Sequence, residues 1–473
     1  MSTPYSIDQP TRTPDGTWMF GLFAGALALS LILHQVWWFG FEVLSVHFVV
    51  VLAALWTLFR PTSIVRVLAM LAAEVCSVAL DMPDVGSHTL LVLVSGASVL
   101  AYVGWTSLGP RRLPDAGLLF ERIAPFLRVQ LLLVYAVAAV AKLNTGFFDG
   151  AVSCGAALAA QVAWFDPSLL DGAWRVVPSI YGTVAIELAL PVLLAVPRTR
   201  LLGLALGVAF HAVLALAGNV PFSALALALY VAFLPADTPS RVRAVALERP
   251  WLARWARRIR RAARFRAALP IAVGSWLVAA AVLTPEPALA RALIANGTRL
   301  LVVAIIVLAA GVLILCLRRG GPPAPSGSLR LGHPVFAVGI GLLIVNSLSP
   351  YIGLKTDTSF TMFSNLQTET GRWNHVLIPE AVRVFGYQDE LVRVTDSNDP
   401  ALERRTAEGT RVVRFELERY VRSRPGTTAA YTQAESDGDV RVASSGAAAS
   451  AATPVIDRLV KFRDVRAPER SGC

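Results

Sequence analysis

Apolar residues along this chain are gathered in long runs that short polar turns separate. A helix that crosses a bilayer needs about 20 such residues. The runs occupy residues 18–36, 46–59, 63–80, 88–106, 123–141, 176–196, 201–217, 221–234, 269–284, 295–317 and 334–348. Several are short, so individual spans are expected to tilt or merge. The pattern predicts an all-α polytopic membrane protein with about eleven apolar helices, in a transmembrane domain over 18–348.

The pattern changes after the last of these runs. Val382 to Gly386 and Leu391 to Thr395 flank a polar YQDE segment, which predicts a β-hairpin. Further on, Val413, Phe415 and Leu417 alternate with charged residues, as in a half-buried strand. We therefore expect a small β-rich, extracytoplasmic domain over 349–425.

Both ends of the chain have a different composition. Residues 1–17 are polar and contain three prolines, Pro4, Pro10 and Pro14. Residues 427–454 are rich in Ala, Ser, Gly and Asp. Such stretches bury too little apolar surface to fold alone. A disordered N-terminus over 1–17 and a flexible tail over 426–473 are expected.

Composition agrees with a membrane location. Hydrophobic residues make up 55% of the chain and charged residues 16%, against roughly 25% charged residues in soluble domains. Mean hydropathy is +0.58. Four cysteines lie far apart without a CxxC motif, so neither a disulfide framework nor a metal site is predicted. Cys76 and Cys316 fall inside apolar runs, which favours a place in the core.

The net charge of +11 is concentrated in one loop. Residues Arg241 to Arg266 hold ten arginines and one glutamate. Trp251, Trp255 and Ile259 share a helical face, and most of the arginines lie opposite, a pattern typical of an interfacial helix on anionic lipid. A solvated cytoplasmic loop is the alternative. Because the rest of the chain is nearly neutral, the charge does not indicate nucleic-acid binding.

Basic residues also fall in alternate loops. They are Arg60, Arg66, Arg111, Arg112, Arg198, Arg200, the Arg241–Arg266 segment, Arg318 and Arg319. The positive-inside rule therefore predicts that the N-terminus and these loops are cytoplasmic. Lys142 and the segment after residue 349 then face the outside. The high Ala, Gly and Arg content fits a bacterium, so the membrane expected from the apolar runs is the bacterial inner (cytoplasmic) membrane.

The chain has no Walker loop, GxGxxG, HExxH or GxSxG motif. The candidates for chemistry are ionisable residues within or beside apolar runs. Lys142 follows the run 123–141; a lysine in a low dielectric can act as a base, whereas a lysine that snorkels only marks the membrane edge. Asp149 is near enough in sequence to pair with it.

Three further residues join Lys142 in this group. Glu187 lies in an apolar run and needs a partner, for which Arg128 and Lys142 are candidates. His88 and His211 either satisfy hydrogen bonds within their helices or converge with Lys142 near the outer leaflet. Arg128, at the start of its helix with Gln130, has the alternative role of a cap or anchor.

The stretch RVQLLLVYAVAAVAKLNTGFFDG resembles the central motif of the vitamin K-dependent gamma-glutamyl carboxylase family and its bacterial HTTM (horizontally transferred transmembrane) relatives. The matching residues are Arg128, Gln130, Tyr135, Ala141, Lys142, Leu143 and an aromatic at Phe147 or Phe148. Weaker matches are Ser87-His88, Ile186-Glu187-Leu188 with Pro191, and Phe210-His211. The block SPYIGLKTDTSFTMFSNLQTETGRWNH is similar to one in the bacterial relatives. Asn144 stands where the carboxylase has an acidic residue.

The resemblance implies that Lys142 is the base that deprotonates reduced vitamin K, a menaquinol-type quinol, with O2 and CO2 as co-substrates and no metal. His88 and His211 would join Lys142 at the site, with Arg128, Gln130, Tyr135, Asn144 and Glu187 in binding or supporting roles. A peptide or protein on the outer side would be the substrate. The alternative is a non-catalytic or peptide-maturation and export protein on the same scaffold. A transporter is disfavoured because polar residues lie mostly on one side.

Overall fold

The computed structural model describes residues 14–39, 45–108, 114–161, 175–248, 254, 267–282, 287–318, 328–434, 440–445 and 454–465. Most of them are helical. The predicted disordered segment lies outside these residues except for its last four, 14–17, which begin the first helix. Most of the Arg241–Arg266 segment also lies outside them.

Every predicted apolar run coincides with a helix. The helices of this part of the chain are α1 (Pro14–Phe39), α2 (Val46–Phe59), α3 (Ile64–Asp81), α4 (Ser87–Ser107), α5 (Ala116–Ala141), the short α6 (Thr145–Phe148) and α7 (Cys154–Ala160), α8 (Thr183–Ala195, entered through π-helical Pro178–Gly182), α9 (Arg200–Leu216), α10 (Val220–Tyr230, followed by the 3-10 turn Val231–Phe233), α11 (Thr238–Glu248), α12 (Ala268–Val282), α13 (Pro287–Arg318) and α14 (Pro334–Leu348).

Five of the described helices are long and apolar enough to cross a membrane. They contain the segments Asp15–Trp38, Ser87–Ser107, Ala116–Ala141, Pro178–Ala195 and Ile294–Leu315. A sixth is added if α10 and α11, which meet at 94°, form one span. Helices α2, α9, α12 and α14 are apolar but shorter. The chain is therefore a multi-pass membrane protein.

Helix α1 lies at the centre of the bundle and packs against α2, α5 and α10. Its apolar residues surround the whole helix, so it can be buried on most sides. Buried residues make up 67% of its span but only 17% of the span in α13. This difference in burial places α1 in the central core of the bundle and α13 in an outer, lipid-facing layer.

A small domain follows the bundle. Its elements are β1 (Leu391–Ser397), α15 (Pro400–Ala407), β2 (Arg411–Val413), α16 (Arg414–Arg422), β3 (Thr428–Gln433), β4 (Arg441–Ser444) and α17 (Pro454–Leu459). The four strands form an antiparallel sheet in the order β2-β1-β3-β4. Representative pairs are Val392 with Val412 and Ala429 with Ala443. Val394, Leu402 and Leu417 are fully buried in its core.

Two predictions for this domain are wrong. The predicted hairpin does not form, because β1 pairs with β2 and β3 while 3-10 turns occupy Glu380–Val382 and Gly386–Gln388. The predicted strand around Val413 ends at that residue, and α16 follows. Leu417 and Val421, one helical turn apart, enter the core, so the apolar positions also fit a helix.

Two further expectations need correction. Strands β3 and β4 lie within 426–473, so residues 428–433 and 441–444 belong to the sheet rather than to a flexible tail. Cys76 is exposed, not in the core; the side chain of Cys316 lies outside the described residues. Cys154 is disulfide-bonded, which the spacing of the cysteines did not predict.

Candidate functional site

Helix α5 carries three polar residues on one face. Arg128, Tyr135 and Lys142 are seven residues apart, which is close to two helical turns for each interval. Consecutive members therefore lie about 10 Å apart along the helix axis. The face packs toward α8 and α10, so these side chains lie inside the bundle.

Lys142 and Glu187 form a buried ion pair at one end of the bundle. The lysine Nζ is 3.1 Å from Glu187 Oε1, to which it donates a hydrogen bond, and 2.9 Å from Oε2. Their side chains are only 5% and 9% exposed. Lys142 is thus neither snorkelling into water nor facing lipid, and Glu187 has the partner that its burial requires.

Local sequence holds Lys142 in this place. Helix α5 ends at Ala141, and Lys142 caps it, with a backbone N–H that donates to Ala139 O. The chain then turns, because Asn144 caps α6 by accepting a hydrogen bond from Phe147 N at 2.8 Å. The ring of Phe147 lies 5.8 Å from Lys142 Nζ, within the range of a cation–π contact.

A long segment after α14, residues 356–378, covers this end of the bundle, and we call it the covering loop. Asn144 Nδ2 donates to Ser364 O at 2.5 Å, and Thr145 N donates to Asn374 O at 3.1 Å. His375 Nε2 donates to Val140 O at 3.0 Å. Lys142 therefore lies between the helices and a loop that is more than two hundred residues later in sequence.

The covering loop has an unusual backbone. Four of its residues other than glycine have positive φ: Thr358 (56°), Phe360 (59°), Phe363 (51°) and Asn365 (55°). Such conformations cost free energy and persist only where the surroundings enforce them. Asn365 illustrates this: its side chain accepts from Cys154 N at 2.7 Å and donates to Val152 O at 2.8 Å. The loop is therefore fastened to α7 as well as to α5.

Two turns from Lys142, Tyr135 belongs to a second buried group. Its hydroxyl lies 2.6 Å from His211 Nε2 and makes a short hydrogen bond with the Tyr230 hydroxyl. His211 Nδ1 is 3.3 Å from Ser223 Oγ. These contacts link α5, α9 and α10 through a row of polar atoms that can exchange donor and acceptor roles.

His88 lies in a third group, among α1 to α4. His88 Nε2 is 2.9 Å from His34 Nδ1, and both rings are buried. The neighbouring Gln35 donates to Glu74 Oε2 at 3.1 Å. Gln35 Oε1 is also 3.1 Å from His47 Nδ1. Hydrogen bonds among the described residues join this group, and its contact between His47 Nε2 and Asp81 Oδ1, at 3.7 Å, is only partly buried.

The two residues at the start of the motif have separate contacts. Arg128 Nε donates to Ala232 O at 2.6 Å and its NH1 group to Ser328 O at 3.1 Å, so it anchors the bend after α10. Gln130 Oε1 accepts from Ser95 Oγ at 3.0 Å. Gln130 Nε2 is buried and has no hydrogen-bond partner in the part of the chain that the structure describes.

The structure thus brings some predicted site residues together and keeps others apart. Lys142 pairs with Glu187, one of its candidate partners, whereas Asp149 accepts a hydrogen bond from Ala151 N. His211 contacts Tyr135, and His88 contacts His34, each in its own group. The prediction missed the residues Tyr230, His34, Gln35 and Glu74. The rule that selected Glu187, a polar residue within an apolar run, also selects them.

Burial shifts the pKa of His375 in the covering loop and of Lys355, the residue just before that loop. Burial lowers the pKa of His375 below its ordinary value. Burial also lowers the pKa of Lys355 to about 8, and its Nζ donates to Thr358 Oγ1 at 3.0 Å. The end of the bundle near Lys142 is therefore covered by protein rather than bathed in water.

No protein-family model, curated protein or solved structure matches this chain. The resemblance to the carboxylase family accordingly rests on the residues quoted above.

Proposed function

We propose that this protein is a membrane-embedded enzyme of the vitamin K-dependent carboxylase-like (HTTM) type, in which Lys142 removes a proton from a lipid-soluble hydroquinone. The observation that carries the proposal is the buried ion pair between Lys142 and Glu187. An ionisable pair within an apolar helix bundle is costly and is most often retained for function.

The pair has the chemistry of a base. In a medium of low dielectric both charges are poorly solvated, so the ion pair can convert to a neutral amine and a neutral carboxylic acid when Glu187 takes the proton of Lys142. The Lys142 amine then has a free lone pair and can accept a proton from a hydroxyl group. The resulting ammonium stays beside the new anion and stabilises it.

The surroundings of the pair fit a quinol. Glu187 Oε2 is buried and accepts no hydrogen bond from the described residues, although Lys142 Nζ lies 2.9 Å away, so this oxygen can accept one from a hydroxyl. Phe147, Ile180 and Val184 form an apolar cluster next to the pair. In the carboxylase family reduced vitamin K reacts with O2 to give the strong base that allows CO2 addition to a glutamate.

The proposal includes a topology of about eleven spans with the N-terminus and basic loops in the cytoplasm. Two contacts support this arrangement: one joins the N-terminal helix to a basic segment, and the other lies at the end of the bundle that carries Lys142. Asp15 lies 3.9 Å from Arg243 near the N-terminus, whereas Asp84 lies 3.1 Å from Lys461 at the end that carries Lys142. The disulfide at Cys154 favours an oxidising, extracytoplasmic location for that end. Anionic lipid is the proposed partner of Arg241–Arg266.

The test uses the full chain in nanodiscs with menaquinol-type reduced vitamin K, O2 and bicarbonate, and measures epoxide by chromatography. We expect turnover by the wild type and its loss in Lys142→Met. The double variant Lys142→Met, Glu187→Leu is the matched control, because an apolar pair restores stability but not a base. Epoxide formation by the double variant at the wild-type rate would refute the role of Lys142.

The same measurement separates the alternative function. A folded wild-type protein that forms no epoxide with reduced vitamin K would favour a non-catalytic or peptide-maturation protein on this scaffold. Epoxide formation with added glutamate-containing peptide, together with incorporation of labelled CO2, would instead extend the proposal from quinol oxidation to peptide carboxylation.

A further inference from the structure

A row of large apolar side chains is exposed just after the covering loop. In residues 376–385, which we call the apolar edge, Leu377 is 69% exposed and Val384 is 75% exposed. Val376, Val382 and Phe385 are also exposed, at 59%, 40% and 40%. Single exposed apolar residues are ordinary, but five within ten residues need a partner surface.

The apolar edge is attached to the ends of two bundle helices. Val376 N donates to Leu143 O at 2.9 Å, directly after α5. Phe385 N donates to Ile352 O at 2.9 Å, four residues after α14. Trp373 Nε1 donates to Ile378 O at 2.6 Å, which fixes an amphipathic ring beside the same segment. The apolar edge therefore lies next to the ends of α5 and α14.

The length of α14 also favours contact between the apolar edge and lipid. Its 15 residues extend only about 22 Å at 1.5 Å per residue, whereas the hydrocarbon core of a bilayer is about 30 Å thick. Val338, Leu342 and Val345 on this helix are exposed, so it faces lipid. Apolar side chains just beyond the end of α14 would cover the part of the hydrocarbon core that this helix is too short to span.

The few charges of the segment do not oppose contact with lipid. Glu380 and Arg383 are its only charged residues. Arg383 lies 3.3 Å from Glu380 and 3.0 Å from Asp389, and it donates to Thr370 Oγ1 at 2.7 Å. Both charges of the segment are thus paired, Glu380 with Arg383 and Arg383 also with Asp389.

We propose that the apolar edge is a lipid-binding element, which inserts Leu377 and Val384 into the outer part of the leaflet next to Lys142. It continues the lipid-facing surface of α14 and holds the covering loop against the membrane. The proposal does not depend on the proposed catalysis, since it concerns only contact with acyl chains.

The test introduces one cysteine at a time, Leu377→Cys or Val384→Cys, into a Cys76→Ser parent that keeps the other three native cysteines, and labels each variant with bimane in nanodiscs. The signal of the labelled parent is subtracted. Val338→Cys on α14 is the lipid-facing control, and Val442→Cys, at a site 68% exposed on β4, is the aqueous control. Quenching is measured with lipids that carry a nitroxide on the acyl chain and with iodide in the buffer.

We expect both edge labels to lose fluorescence with nitroxide lipids, as at Val338, and to resist iodide. The label at Val442 should behave in the opposite way. Iodide quenching of either edge label at the level of Val442, without quenching by nitroxide lipids, would overturn the proposal and place this face in water.

Discussion

Glu187 and Glu74 are both carboxyl groups buried within the helix bundle, yet their partners differ. Glu187 faces the ammonium of Lys142 at 2.9 Å. Glu74 accepts from the amide of Gln35 at 3.1 Å, and no cation contacts it among the described residues. One carboxyl thus belongs to a pair of opposite charges and the other to a hydrogen-bonded group.

The difference shows that burial alone does not define a reactive group. The Lys142–Glu187 pair is held in place by electrostatic attraction, so removal of either member leaves the other charge without compensation. In the group around Glu74, amide and imidazole partners can change between donor and acceptor. We therefore expect the two regions to respond very differently to the same kind of substitution.

The largest effect is expected for Glu187→Leu, which leaves Lys142 buried without its counter-charge. The loss of unfolding free energy should be about 3–5 kcal/mol. Unfolding in mixed micelles of increasing SDS content measures it. The double variant with Lys142→Met should recover most of the loss; equal destabilisation by both variants would show that the pair is not the cause.

The next largest effect concerns Tyr135→Phe. This change removes the hydroxyl that joins His211 and Tyr230, so buried polar atoms lose a partner at a cost of about 1–3 kcal/mol. Tyr102→Phe is the control, because the Tyr102 ring packs on Phe336 and its hydroxyl makes no hydrogen bond to described residues. The same unfolding assay applies, and equal losses in both variants would argue against the network.

A smaller effect is expected from pH. Neutral His375 accepts hydrogen bonds from Leu377 N at 3.1 Å and Ile378 N at 2.8 Å, and burial lowers its pKa. Its contribution to stability is therefore complete above the unfolded-state pKa, about 6.5, and is lost as pH falls through the lower folded-state pKa. Thermal unfolding at pH 5 to 8 should show this slope, and His375→Gln should reduce it. An unchanged slope in the variant would assign it to other groups.

The smallest effect is expected for Glu74→Gln. A glutamine keeps an acceptor and adds a donor, and the Gln35 amide can rotate to match it. The change in unfolding free energy should stay below about 1 kcal/mol. A loss as large as that of Glu187→Leu would mean that Glu74 also compensates a charge, and the contrast between the two carboxyls would fail.

Sequence predicted the bundle well because apolar periodicity is a local property. Each predicted run is a helix, and Glu187 was correctly given Lys142 as a candidate partner. The short domain was harder, since an alternation over five residues around Phe415 fits a strand and a helix equally. Strand β1 pairs with segments that are distant in sequence, and no local pattern specifies such pairing.

The site was only partly predictable for the same reason. The rule that selects ionisable residues in or beside apolar runs identified Lys142, Glu187 and His211. It did not predict which other buried polar residues each of them contacts. The contact of Asn144 with Ser364 spans 220 residues and depends on the covering loop. Four of the residues in that loop that have positive φ are not glycines, so their residue types do not predict the conformation.

The seven-residue spacing of Arg128, Tyr135 and Lys142 fixes the direction in which each side chain points around the axis of α5. One residue inserted between Tyr135 and Lys142 would rotate the lysine by about 100° around the helix axis and direct it away from Glu187. Relatives that retain both the hydrogen bonds of the tyrosine and the ion pair of the lysine must therefore retain this interval, even where most other residues differ. The interval is a criterion for recognising them that does not depend on overall sequence identity.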